Sequence, residues 1–405
     1  MSETLRVLML TSSYPQNAQD SSSGFLRYLG YYLARQGVAI HVLAPSGATS
    51  GIEQENGVTV QRFRYFPARW QKLAYGSGIL PNLRRAPALW FQVPFFILAM
   101  MGALLRLRLK TQPHLIHAHW VIPQGLVAVM AKLLLRTPVI VSIHGADAFA
   151  LKRGFLSSVK RFCLRHSDAW TSNTRATAEA ITHGHKLPLP HILPMGVDID
   201  RFASGSRDRL RSHCRPDDLI VLFVGRLIEK KGVDDLIKAY ARLPEKLRDR
   251  TTVWIVGRGE LEDLLRTLST ELGIGEKIKF LGEIPNDQLP DYYAAVDLFV
   301  GPSVEAVSGD TEGQGVVFIE AFAAGLCVIA TRVGGIPEVV DDGHTGMLVS
   351  PRNPTELASA MQRLLSDPGL RERLGCSAKA RARECYAWEI IASRFVDLYR
   401  SVLEQ

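Results

Sequence analysis

The run GDTEGQGVVFIEAFAAG, residues 309–325, places a glycine-rich turn directly before an apolar segment with helical spacing. A helix start presents unpaired N–H groups and partial positive charge, which makes it a seat for phosphate. Glu312 stands before that seat and Glu320 lies along the helix, with seven residues between them. One carboxylate on each side of a bound diphosphate would accept hydrogen bonds from hydroxyls at both of its ends. A sugar and a ribose flanking a diphosphate make a nucleotide sugar, so the run predicts a nucleotide-sugar seat built on an α/β domain.

The rest of the chain has the pattern such a domain requires. Short apolar runs at 5–10, 39–43, 115–118, 139–143, 220–224, 252–256, 278–280, 298–300 and 327–330 read as buried strands alternating with helices. Most are rich in β-branched residues, and most stop at Gly, Pro, Ser, Thr or His. The alternation runs to about Pro194 and restarts near Leu219. With 405 residues the chain is too long for one typical core. The expected architecture is two doubly wound, Rossmann-like domains facing across a cleft, with ligands at the carboxyl ends of the strands. Residues 1–195 form the first domain, 196–218 a linker and 219–385 the second domain. The amphipathic segment 386–405 is assigned back to the first.

Charge is divided unevenly. Residues 1–200 hold 21 Lys or Arg and 9 Asp or Glu; the remainder holds 27 and 31. From Asn56 to Ala146 there is no acidic residue but there are 11 basic ones. That half suits an anionic surface or acceptor; no nucleic-acid motif accompanies the charge. The stretch 88–105, ALWFQVPFFILAMMGALL, is near spanning length but is interrupted by Gln92 and Pro94. A buried helix, a helix resting on anionic lipid and a spanning helix are the three readings open to it. The five cysteines are scattered, and MSETLRVLML has no secretory pattern. Both suit a cytoplasmic protein, peripheral on the inner membrane face if 88–105 meets lipid.

Other residues carry chemistry by position. Arg226 and Lys231 follow the strand 220–224, placing cations where charge on a departing diphosphate would need neutralising. His144 follows the strand 139–143, with Asp147 three residues on. His117 and His119 alternate on a strand and share a face; with no third ligand nearby, lining an acceptor site or a plain structural role fits them better than metal. Asp198 and Asp200 form an Asp-x-Asp pair for which metal is again the weaker reading. Ser21, Ser22, Ser23 and Gly24 open a helix.

Taken together, Gly225-Arg226-Leu227 with Lys231-Gly232, then Gly282-Glu283, Pro302-Ser303, Glu312, Glu320, the run GGIPE at 334–338, Gly343 and Gly346 resemble the retaining glycosyltransferase family 4, which has the GT-B fold. The likeness is continuous over the second half and weaker over the first. It implies that Arg226 and Lys231 bind the donor diphosphate, that Glu312 binds the transferred sugar and that Glu320 binds the ribose. The N–H groups around Gly315, Val316 and Val317 would meet the phosphates, and Glu283 and Ile284 would lie near the base. His144 would contact the sugar, Gly24 would approach the donor, and His119 and Asp147 would face the acceptor. Two departures stand out: Met195 replaces a common Asn before Gly-Val-Asp, and the segment 303–312 is long.

The expected reaction is transfer of a sugar from a UDP-, GDP- or ADP-sugar to an acceptor hydroxyl with the anomeric configuration retained. No cofactor or metal is called for, since the cations and the helix start carry the charge. A saccharide or lipid-linked acceptor in polysaccharide, glycolipid or cell-envelope synthesis suits the basic, apolar first half. A sugar-nucleotide epimerase, a phosphorylase and a non-catalytic binding protein are the alternatives.

Overall fold

A computed structural model of the chain describes residues 4–17, 24–47, 50–76, 78–149, 154–182, 185–211, 215 and 217–405. Ser21–Ser23 and Cys214 lie outside these residues. The chain divides into two compact units, 1–194 with 388–405, and 195–387.

The first unit holds eight strands: β1 Arg6–Leu10, β2 Ala39–Pro45, β3 Gly51–Glu55, β4 Val58–Phe63, β5 Leu115–His119, β6 Val139–Ile143, β7 Ala169–Ser172 and β8 His191–Ile192. Their order is β3-β4-β2-β1-β5-β6-β7-β8, all parallel except the β3–β4 hairpin. Both faces are covered. Leu8 and Leu10 of β1 enter one apolar cluster with Phe96, Met100 and Leu104; Val7 and Met9 enter the other with Leu29, Leu33 and Phe395. This alternation is why the strand reads as continuously apolar. The final helix, Trp388–Leu403, buries Trp388, Ile391, Ala392, Phe395, Tyr399 and Val402 along one stripe. It packs against the helix Gly24–Arg35, where Trp388 stacks on Tyr28 at 6.2 Å.

The second unit is a six-stranded parallel sheet of β9 Leu219–Val224, β10 Thr251–Val256, β11 Ile278–Gly282, β12 Leu298–Gly301, β13 Val328–Thr331 and β14 Gly346–Val349. The order is β11-β10-β9-β12-β13-β14. Successive side chains of β9 again divide between two clusters, Val221 and Phe223 against Ile220, Leu222 and Val224. The segment expected as a linker folds onto this unit. Its helix Ile199–Ala203 is capped by Asp198, which accepts from the Arg201 N–H at 3.1 Å, and Phe202 is buried beside Tyr293. That cap gives Asp198 a structural task.

Within each sheet the strand order reverses at one point. In the first it lies between β1 and β5; in the second, between β9 and β12. Crossovers leave in opposite directions there, so the loops part and open a crevice at the carboxyl ends.

Candidate active site

In the second unit the loops after β9, β12 and β13 are locked together by backbone contacts. Val304 N–H donates to the Lys230 carbonyl at 2.8 Å, and a Cβ on Gly232 (φ 60°) would lie 2.1 Å from the Pro302 carbonyl oxygen. The Glu312 carbonyl accepts from Gly335 N–H at 3.1 Å, and a Cβ on Gly334 (φ 55°) would sit 2.1 Å from that same oxygen. Thr331 Oγ1 donates to the Ser303 carbonyl. The first glycine of GGIPE, Gly334, is therefore required by close approach to the Glu312 backbone.

This lattice presents the charged groups. Lys231 Nζ donates to Glu312 Oε2 at 2.5 Å, with both side chains mostly buried. Lys230 Nζ reaches Asp310 Oδ1 at 3.2 Å and the Thr311 carbonyl at 3.3 Å. Burial pushes the Glu312 carboxyl up, but Lys231, Lys230 and Arg226 more than offset it and hold it below the usual range. Arg226 itself is exposed.

The helix Val316–Ala323 starts at Gly315 (φ 76°, ψ 70°), with no side chain capping its first turn. The N–H groups of Val316 and Val317 are thereby left for a ligand, while that of Phe318 donates to the Gly315 carbonyl at 3.0 Å. Glu320 lies one turn in and accepts from Tyr293 Oη at 2.8 Å. Burial pushes its carboxyl up to about 7; Tyr293, Arg201 and Lys231 restrain the rise. Gln314, 2% exposed, clamps the segment from behind: Met195 N–H donates to its Oε1 at 2.7 Å, and its Nε2 donates to the Met195 carbonyl at 3.1 Å. Because only the Met195 backbone takes part, Met can stand at that position. The long segment 303–312 is tied down by Glu229, which accepts from Val307 N–H at 3.0 Å and pairs with Arg352 at 3.2 Å. Glu283 is exposed and Ile284 half-buried in the turn after β11, which Gly257 N–H fixes by donating to the Gly282 carbonyl at 2.7 Å.

The first unit carries a second polar cluster at the ends of β5 and β6. His119 Nδ1 and His144 Nε2 share a proton at 3.0 Å, and their outer ring nitrogens, His119 Nε2 and His144 Nδ1, are buried without a partner. Burial pushes His144 down to about 3; burial and the neighbouring rings push His119 well down. Phe25, one residue after Gly24, packs on His144 with centroids 4.8 Å apart. The place where a Gly24 Cβ would stand is open space. His117 is fully occupied by Ser142 Oγ at 2.6 Å and Tyr399 Oη at 2.8 Å, so its role is structural. Asp147 accepts from His144 N–H at 3.1 Å and Val121 N–H at 3.2 Å, joining the turns after β5 and β6. Burial pushes its carboxyl up to about 6. It is thus a staple that positions His144.

Sequence reasoning passed over Lys230, Tyr293, Gln314 and Arg201. Gln314 had a signal, since it lies inside the glycine-rich turn. Tyr293 had none, because its partner is 27 residues away.

Two Rossmann-like units, one with an anion seat flanked by carboxylates and cations, define a glycosyltransferase of the GT-B class. The profile described as "Glycosyltransferase Family 4" matches residues 24–201, and that described as "Glycosyl transferases group 1" matches residues 207–381. A GDP-mannose-dependent alpha-(1-6)-phosphatidylinositol monomannoside mannosyltransferase of Mycolicibacterium smegmatis is 32% identical over 282 residues, 68% of this chain and 73% of that one. A D-inositol 3-phosphate glycosyltransferase of Streptomyces bingchenggensis is 36% identical over 250 residues, 58% of this chain and 53% of that one. This chain belongs to the group 1, family 4 glycosyltransferases. Among solved structures, the sucrose-phosphate synthase of Thermosynechococcus elongatus has the same fold, with TM-score 0.77, 23% identity and 99% of each chain covered. So has Anabaena HepE in complex with UDP, with TM-score 0.73, 21% identity and 98% and 100% covered.

Proposed function

We propose that the protein moves a sugar from a nucleoside diphosphate to an acceptor hydroxyl with retention of configuration, and that it needs no metal. The observation that carries this is the 2.5 Å Lys231–Glu312 pair beside an uncapped helix start whose first full turn ends in Glu320. A diphosphate at that start meets the N–H groups of Val316 and Val317, with Lys231 and Arg226 supplying positive charge. Glu312 accepts from the sugar and Glu320 from the ribose; Glu283 and Ile284 face the base. As the bond to the sugar breaks, charge grows on the leaving phosphate, where these cations stabilise it. That phosphate then takes the acceptor proton, and the acceptor oxygen attacks the same face of the sugar. His144 acts as a neutral hydrogen-bond partner for the sugar, and His119 for the acceptor.

GDP-, UDP- and ADP-sugars are the donors to screen, GDP-mannose first, given the mannosyltransferase relative. The acceptor is a saccharide or lipid-linked saccharide of a glycoconjugate pathway. The test is donor turnover in Glu312→Ala: the variant keeps its fold by circular dichroism and loses transfer by at least ~100-fold. Near-normal turnover removes the assignment.

A further inference from the structure

One face of the first unit takes no part in this chemistry. The helical stretch Pro87–Thr111 buries Phe96, Met100, Leu104 and Leu107 in the core. On its other side Phe91, Phe95, Leu98 and Leu109 are exposed by 68%, 43%, 70% and 67%. Their spacings of four, three and eleven residues align them in one stripe at 100° per residue. The neighbouring turn Ala68–Trp70 widens it. Phe66 contacts the rings of Trp70, Phe91 and Phe95 at 6.3, 6.3 and 5.6 Å, and Gln92 Nε2 donates to the Trp70 carbonyl at 2.8 Å. Trp70 and Trp90 are each about half exposed.

The charged residues of this helix and of the turns that lead into it have one sign. Arg69, Lys72, Arg84 and Arg85 surround its aromatic end, Arg106 and Lys110 its far end, and all are exposed. The segment 56–146 has no carboxylate to neutralise them. A contiguous apolar surface of this kind marks an interaction site. A second copy of the chain fits poorly, because a two-fold contact would oppose cations to cations. Spanning fits poorly too, since it would draw Phe96, Met100 and Leu104 out of the core.

We infer that this face docks on an anionic lipid bilayer. The aromatic and leucine stripe lies at the boundary between headgroups and acyl chains, and the arginines and lysines meet lipid phosphates. The inference concerns where the protein works and does not depend on the transfer chemistry.

The test is co-sedimentation of the full chain with vesicles of phosphatidylcholine, with and without phosphatidylglycerol. The wild type should pellet with the anionic vesicles, less so at high salt. Phe91→Ser with Leu98→Ser, and separately Arg84→Glu with Arg85→Glu, should each lower the partition coefficient at least ~10-fold. Both changes are to exposed side chains and should leave thermal unfolding unmoved. Brominated lipid should quench the fluorescence of Trp70 and Trp90 in the wild type. Equal binding to neutral vesicles, unchanged binding in both variants, or a wild-type dimer that the serine pair dissociates would overturn the inference. Resistance to alkaline carbonate extraction would overturn it as well, by making the helix a spanning one.

Discussion

Replacing Glu320 with Gln should make the donor-free protein more stable, by an amount that grows with pH. The Glu320 carboxyl is pushed from 4.5 up to about 7 in the folded protein, with burial the leading cause. Folding therefore favours its protonated form. The sign follows: the unfolded chain loses this proton near 4.5 while the folded chain keeps it to about 7. Stability from this group is greatest at low pH and is lost as pH rises between those values. Once both states are ionised, the cost is on the order of 3 kcal/mol as an upper bound. Gln has no charge to desolvate and still accepts from Tyr293 Oη. The variant should match wild type near pH 4 and exceed it at pH 8. At about 2–4 °C per kcal/mol for a unit of this size, the upper bound is a gain of roughly 6–12 °C in Tm. The assay is thermal unfolding of both proteins without donor across that range. The same variant should show a smaller donor-induced rise in Tm, because a carboxylate accepts from two ribose hydroxyls and an amide oxygen does so less well. A variant equally or less stable than wild type at pH 8 would show that Glu320 is not a strained, desolvated carboxylate.

Four further outcomes can be checked. Arg226→Ala should raise the donor dissociation constant ~10- to 100-fold, the range of a charge-assisted contact, in titration calorimetry with the fold unchanged. Glu312→Gln should bind the bare nucleoside diphosphate more tightly than wild type, since Lys231 loses its competing carboxylate, while transfer falls in single-turnover assays. Gly334→Ala should destabilise by at least about 1–3 kcal/mol in denaturant titration, as its methyl group would meet the Glu312 carbonyl oxygen at 2.1 Å in a left-handed backbone. Under the proposed metal-free reaction, in which lysine, arginine and helix dipole carry the charge that a metal would otherwise carry, incubation with EDTA should leave the transfer rate within about twofold.

The readability of this chain follows the range of its interactions. Strands buried on both faces show as apolar runs, so β1, β2, β5, β6, β9, β10, β12 and β13 are visible within a residue or two; the edge strand β11, with Lys279 exposed, shows only through Ile278 and Phe280. β3 is largely exposed, and the well-covered β4 sets Thr59, Gln61 and Arg62 among its apolar residues, which an apolar filter misses. Their signal was the Asn56-Gly57 pair, whose φ values of 50° and 81° make the tight hairpin turn. β7, Ala-Trp-Thr-Ser, is half polar, and β14, Gly-Met-Leu-Val, opens on a glycine and has no β-branched residue before its last position. At the site, the anion seat is local in sequence: turn, helix start and both glutamates fall within 309–325. The lattice that aims them is not local, because it joins loops after three different strands through carbonyl oxygens. Spacing cannot show that Gly334 exists to let the Glu312 backbone pass. The outer face of the 87–111 helix was equally hidden, since 88–105 is apolar all round and only the fold shows which half the core takes.

The protonation states of the first unit bear on how the acceptor loses its proton under the proposed reaction. His144 is pushed down to about 3 and His119 also falls well below 6.5, so both rings stay neutral through the physiological range. A base whose conjugate acid has so low a pKa is poorly matched to deprotonating a sugar hydroxyl. Asp147 would be a stronger base, but both of its oxygens already accept from backbone N–H groups. None of these side chains is suited to be a general base. What they offer is a shared proton with one free donor and one free acceptor at the outer nitrogens, whichever tautomer forms. That suits the recognition of hydroxyls, each of which both donates and accepts. The groups best placed for charge lie in the second unit, where Lys231, Arg226 and the helix start would, in the proposed reaction, stabilise a departing phosphate. The phosphate oxygen itself then becomes the most basic atom available to the acceptor, which is what same-face attack requires.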